Sequence, residues 1–172
     1  EKFGSLETSL GNCWRYACDD PGKEGEPHSP APPGWNSDRK VGDDPGGKKS
    51  CPELMAGIRE AGGKDPDKEG KCPCDFHKIS VQYSDDYLEK TPIPNPVNPE
   101  TGLPIKGTWW RKRHLRDVHF SREFSGGLWG GKHGNLPAEN VKGPEASPQY
   151  ILCGVICIPD GFNTDPAQNA KP

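Results

Sequence analysis

The sequence predicts a mostly irregular chain with a small α+β nucleus, and three observations carry that expectation. Leu, Ile, Val and Phe together make only 27 of the 172 residues, under the roughly 20% below which chains lean towards disorder. Gly (22) and Pro (20) together approach a quarter of the chain, near the low-complexity range. Only three segments carry a clear hydrophobic period: a helix near 51–61 and strands near 78–83 and 150–158. The disorder signature also wants high net charge, and here it is −3, so a nucleus with extended Pro/Gly-rich arms is expected rather than full disorder. The chain divides accordingly. Residues 1–50 are an extended arm and 51–90 a helix–strand nucleus with a cysteine cluster. Residues 91–149 are an extended basic, aromatic and Gly-rich segment, and 150–172 a strand with a polar tail.

The elements follow in chain order. Leu6, Leu10, Trp14 and Tyr16 are spaced for a helical turn or two, interrupted by Gly11. Residues 19–50 read as irregular chain, because Asp20-Pro-Gly, Pro30-Ala-Pro-Pro-Gly34 and Asp44-Pro-Gly-Gly are turn or polyproline signals. Asp-Pro-Gly or Asp-Pro-Asp recurs at 20, 44 and 65, but no apolar positions recur with it, so these are three similar turns and not a repeat. Ser50-Cys-Pro-Glu53 has the spacing of a capping box. Pro52 suits a first turn, Leu54, Met55 and Ile58 share one face, and Gly62-Gly63 stops the helix. Ile79, Val81 and Tyr83 alternate with Lys78, Ser80 and Gln82, the pattern of a half-buried strand. The prolines from Pro92 to Pro99 force an extended connection. Tyr150 to Ile158 is apolar enough for a buried strand and is ended by a turn at Pro159-Asp-Gly161.

The seven cysteines support two chemistries, beside the plain reading that they are reduced and merely buried. Cys72, Cys74 and His77 lie within six residues, a plausible zinc knuckle, with Cys51 or the Cys153/Cys157 pair available as the fourth ligand. Alternatively they form disulfides: Cys13 and Cys18 can close a short loop. Cys153 and Cys157, on one strand face about 13 Å apart, must bridge elsewhere. The expected cofactor content is therefore none, or one zinc. No catalytic residues are assigned. His28, His77, His114, His119 and His133 are ordinary in number, and Cys74 beside His77 suits metal sharing better than attack, since no orienting group or oxyanion hole is visible. Lys132 is followed by His133, which breaks the phosphate-loop pattern. The expectation is a non-enzyme.

Residues 106–124 concentrate Lys106, Arg111, Lys112, Arg113, Arg116 and Arg122 among Trp109, Trp110, His114, Phe120 and Phe124. Trp and Arg are the residues enriched in protein-interface hot spots. The expected interface anchors are Trp14, Trp35, Trp109, Trp110, Arg111, Arg113 and Trp129. The same segment suits lipid headgroups. Nucleic acid is disfavoured by the near-neutral net charge, and no apolar run approaches the length of a transmembrane helix. The leading expectation is an accessory (supernumerary) subunit that wraps a large multi-subunit assembly. A mitochondrial inner-membrane respiratory complex is the preferred setting. The paired cysteines, the lack of an N-x-S/T sequon and a first residue that is not Met all enter that expectation. The alternatives are a secreted, extracellular disulfide-stapled binding module and a small zinc module.

Overall fold

The computed structural model describes residues 11–21, 30–125, 127–133 and 138–165. The spacing of Leu6 and Leu10, the first Asp-Pro-Gly turn beyond Pro21, the end of the Gly-rich loop and the tail beyond Asp165 lie outside them. The elements are α1 (Cys13–Ala17), α2 (Ser50–Glu60), β1 (Phe76–Pro92), β2 (Trp110–Phe124), β3 (Leu128–Gly131), β4 (Glu139–Val141) and β5 (Ile151–Pro159), with a single 3-10 turn at Pro45–Gly47. The strands form one sheet in the order β4-β3-β2-β1-β5, and every neighbouring pair is antiparallel. This overturns the expectation of a mostly irregular chain with a small α+β nucleus: the sheet is the fold, and the helices cover it.

The expected strand near 78–83 is the inner part of a 17-residue strand. The basic segment expected to be extended contact surface contains the 15-residue β2. Its strand period was masked by two arginines at inward positions. Val118, Phe120, Arg122 and Phe124 alternate with Asp117, His119, Ser121 and Glu123, and the first set lies on the same face as Tyr83, Val81 and Ile79 by register. That face holds the core. Ile79, Val81, Tyr83, Phe120, Ile156 and Ile158 pack against Leu54, Met55 and Ile58 of α2 and Trp14 of α1. Trp14 sits 4.8 Å from the ring of Phe120 and 5.9 Å from that of Phe162. The opposite face is polar but equally closed: Ser80, Gln82, Ser84, His119 and Ser121 are all buried. Gln82 donates to Ser80 Oγ at 3.2 Å and accepts from Ser147 N at 2.9 Å, which ties the 142–149 connection over this layer.

The capping of α2 departs from the capping box read in the sequence. Ser50 is the first helical residue, and Lys49 at the cap position makes no side-chain capping bond. Asp44 does the work from outside, accepting from Lys49 N at 2.9 Å and Ser50 N at 2.7 Å, so two of the open amide donors of the first turn are satisfied by one carboxylate. Those amides, with Ser50 and Arg39, hold the Asp44 carboxyl below the ordinary carboxylate range despite its burial, which pushes the other way. This frees Ser50 Oγ to accept from Arg116 at 2.9 Å and Arg39 at 3.1 Å.

The Pro-rich chain before α2 is packed, not free. Gly34, at φ +79, passes directly over the helix at Gly57. A Cβ on Gly57 would meet the Pro33 carbonyl carbon and Gly34 N at 2.6 Å, and one on Gly34 would meet Glu53 O at 2.2 Å. Both positions need glycine for close approach.

Two disulfides close the structure: Cys51–Cys153, 102 residues apart, and Cys72–Cys157, 85 residues apart. A bulge on β5 explains the first. Val81 pairs with Gly154 and Gln82 with Leu152, so Cys153 is an extra residue on β5. Cys153 packs with the cluster beneath α2, where Cys51 lies. The bulge breaks the parity that would have put Cys153 and Cys157 on one face.

Candidate functional site

β1 and β2 are much longer than their other neighbours. β5 pairs with β1 only over Phe76–Tyr83, and β3 pairs with β2 only over Ser121–Phe124. Residues 87–92 and 110–115 are therefore paired only with each other, as a two-stranded ribbon, and a bulge between Ser84 and Tyr87 marks its root. The ribbon continues into the Pro-rich connection, where Ile93 N donates to Trp109 O at 2.8 Å and Ile105 N to Pro96 O at 2.8 Å. Trp109 and Trp110 are 49% and 50% exposed. Glu89 faces Arg113 and the pair closes at 2.7 Å, while His114 meets Asp86 at 2.6 Å. Lys90 stands directly opposite Lys112, a like-charge cross-strand pair that disfavours the ribbon on its own. Among the described residues Lys90, Lys106, Arg111 and Lys112 form no ion pair, so the ribbon carries excess positive charge beside two open indoles.

At the root of the ribbon a cleft of about 330 Å³ opens between β1, β2, the start of α1, His133 and Tyr150. Asp117, one residue from the buried Arg116, and His119 come from β2, and Tyr87 and Glu89 from β1. Tyr150 donates to Asp117 Oδ2 at 2.5 Å, and its ring lies 5.3 Å from that of Tyr87. His119 is only 2% exposed. Its ring stacks on His133 at 4.2 Å with 5° between planes. Burial, and then the proximity of His133, lowers His119 from 6.5 to about 3, so it is neutral at physiological pH. Burial pushes Asp117 upwards against the hydrogen bond from Tyr150, which pulls it down. Burial raises Tyr150 as well, reinforced by Asp117, and pushes the Cys13 thiol at the cleft edge up to about 12. Such shifted groups lining a cleft are how functional sites present themselves physically.

A larger cleft, about 650 Å³, lies near the opposite end of β1. Its charges are internally matched, Arg122 with Asp19 at 2.8 Å and Lys78 with Glu123 at 3.1 Å, and His77 lies 2.8 Å from Asp160. It offers little excess charge to a ligand.

The residues singled out in the sequence are distributed as follows. Cys51 and Cys72 lie in separate disulfides, and Cys74 is an exposed free thiol. Both ring nitrogens of His77 are engaged, Nδ1 with Asp160 at 2.8 Å and Nε2 with Ala17 O at 2.7 Å. The zinc set Cys72, Cys74, His77 and Cys51 is thus not brought together, and among the described residues no three His, Cys, Asp or Glu side chains are placed to hold a metal ion. Of the disulfide candidates, Cys153 and Cys157 pair with Cys51 and Cys72, while Cys13 and Cys18 are buried free thiols. Of the anchors, Trp14 and Trp129 are buried within the chain. Trp35 packs on the core under the Arg116 guanidinium at 4.8 Å. Trp109, Trp110, Arg111 and Arg113 remain at the surface. Arg116 and Arg122 leave the basic patch altogether: both are buried.

Sequence reasoning missed the cleft residues Asp117, His119 and Tyr150. The signal for Asp117 and His119 was the polar phase of the β2 alternation, visible only once 110–124 is read as a strand. No helix of the described residues is long and apolar enough to cross a membrane. No protein-family model, curated protein or solved structure matches the chain.

Proposed function

We propose that this protein is a disulfide-stapled binding module that docks on an acidic surface of another protein through the β1–β2 ribbon. The observation that carries the reading is the ribbon itself: paired backbone extending past the sheet, with two half-exposed tryptophans beside four cations that form no ion pair among the described residues. Exposed indoles are costly to leave in water, and indoles and arginines are both productive at an interface. An acidic partner would relieve the Lys90–Lys112 repulsion. The long-range disulfides support an oxidising setting, extracellular or organellar.

A second reading keeps the same contact element in a permanent assembly, as an accessory subunit of a large complex such as a respiratory one. Val97 and Leu103, 54% and 64% exposed beyond the ribbon, favour it.

The test is cross-linking of the tagged full chain in native extract, followed by size separation and mass spectrometry. Four proteins are compared: wild type, W109A/W110A, R111E/K112E and the control K68E, which changes an exposed cation away from the ribbon. The expected result is one fixed acidic partner, recovered with wild type and control and lost with both ribbon variants. Equal recovery with all four removes the ribbon reading. Binding of poly(U) RNA or of phosphatidylserine-containing vesicles through the ribbon, without a protein partner, replaces it. Migration of the assembly at several hundred kilodaltons selects the accessory-subunit form.

A further inference from the structure

We infer that the cleft at the ribbon root is a binding site for an organic cation with N–H donors, a primary ammonium or a guanidinium. The inference stands on the cleft alone and holds whether or not the ribbon binds a protein.

The sign of the ligand follows from the lining. Asp117 is the carboxylate of the lining that no cation neutralises among the described residues, Glu89 being closed with Arg113 at 2.7 Å, and no Lys or Arg is among the described residues that line the cleft. The hydrogen-bonding character follows from donor and acceptor accounting. Asn12, on the rim, donates its amide to Pro30 O at 3.1 Å, and the Tyr150 hydroxyl donates to Asp117, so these two donors are already directed into the protein, while the lining Trp14 keeps its Nε1–H buried without a partner among the described residues. Beside it the carboxylates keep open acceptor oxygens. Asp117 takes its side-chain hydrogen bond at Oδ2, and Glu89 meets Arg113 through Oε2 alone. His119, 98% removed from solvent, presents its ring to the cleft. The walls are aromatic, with Tyr87 against Tyr150 at 5.3 Å and His119 against His133 at 4.2 Å. Aromatic faces beside a carboxylate favour a desolvated cation over a neutral amine. A volume of about 330 Å³ admits a side-chain-sized group, at the lower end of ligand cavities.

The experiment is a titration of the full-length, disulfide-intact protein with n-butylammonium and N-methylguanidinium, using n-butanol as the uncharged control. It is read by the imidazole resonances of His119 and His133. Saturable shifts with the two cations, and none with butanol, are expected. D117N should weaken binding by about tenfold or more, the loss of one charge-assisted hydrogen bond. E89Q, at the more exposed side of the cleft, serves as the second variant should D117N fold poorly, and should weaken it less. The site is refuted if neither cation gives a saturable shift, if butanol shifts the same resonances equally, or if both variants bind as wild type does. The same probes distinguish the source of the cation. Displacement of the cross-linked partner by butylammonium assigns it to a lysine or arginine side chain of that partner. Binding of butylammonium without displacement assigns it to a free amine.

Discussion

Arg116 shows how one side chain can look like surface in the sequence and act as a core strut. Its guanidinium donates to Tyr83 Oη at 3.1 Å, Asn36 O at 2.7 Å, Arg39 O at 3.1 Å and Ser50 Oγ at 2.9 Å, while stacking on Trp35. It thereby joins the Pro-rich arm, α2 and β1 at one point. Arg116→Leu would take this donor from the Asn36 and Arg39 carbonyls and from Tyr83 Oη, and a loss of about 3 kcal/mol or more is expected in denaturant unfolding. Arg111→Leu, on the exposed ribbon, should change stability by no more than about 0.5 kcal/mol. His119 gives the residue scale a pH dependence. Its folded value, about 3, lies below the ordinary 6.5. Between those values the unfolded chain binds a proton that the folded chain refuses, so stability falls as pH drops from about 6.5 towards 3. At 1.4 kcal/mol per unit the full loss approaches about 5 kcal/mol. Asp117, raised in the fold, acts in the opposite direction below neutrality and offsets part of it. His119→Gln should flatten the acid limb in urea midpoints measured at pH 7, 5 and 4. Parallel profiles for the two proteins would assign the limb elsewhere.

At the scale of elements, the contrast is between α2, which is locked, and the ribbon, which is not. The Gly34–Gly57 crossing leaves no room for a methyl group, since the Gly57 Cβ position lies 2.6 Å from backbone atoms. Gly57→Ala would raise helix propensity yet force the arm off the helix. The prediction is net destabilisation of about 1–3 kcal/mol by thermal or denaturant unfolding, against the roughly 1 kcal/mol gain that an open helix site gives. Among the described residues, 90–92 and 110–114 of the ribbon are exposed. Its tryptophans should therefore be separable from folding. Trp109→Ala and Trp110→Ala should leave the unfolding midpoint almost unchanged, whereas Trp14→Ala, at the centre of the core, should cost about 3–5 kcal/mol. If the ribbon variants destabilise as strongly as Trp14→Ala, the ribbon is structural and its role as a contact element falls.

At the scale of the whole molecule, a sheet built from so few large aliphatic residues needs covalent help. The two disulfides span 102 and 85 residues, and in the chain-entropy account each closes a loop worth about 4–5 kcal/mol. They tie β5, the last strand in the chain, to α2 and to the loop that leads into β1. Cys51→Ala/Cys153→Ala should lower the denaturant midpoint by the equivalent of about 3–5 kcal/mol. Reduction of both bridges should unfold the protein or leave it marginal, as followed by circular dichroism with and without reductant. Retained stability after reduction would mean that the core and the buried polar layer suffice.

Helix α2 and the inner parts of β1 and β5 were legible in the sequence because period and stop signals are local. Leu54, Met55 and Ile58 repeat on one helical face, and Ile79, Val81 and Tyr83 alternate whatever they pack against. The low aliphatic content was legible too, and it led to the wrong fold class. The reason is that β2 satisfies its inward positions with Arg116 and Arg122, which count as surface in any composition. Only long-range contacts make them core. The same holds for the cap of α2, taken by Asp44 instead of the box at Ser50 and Glu53, and for the sorting of tryptophans into buried and exposed. It holds again for the cysteine partners, which turn on one extra residue in β5. None of the candidate cleft was legible, since Asp117, His119, His133 and Tyr150 converge through strand register and a crossing connection. The sequence by itself determined where the chain can form regular structure. The tertiary structure decided which polar groups are enclosed, because the cost of burying a charge is met by partners distant in sequence.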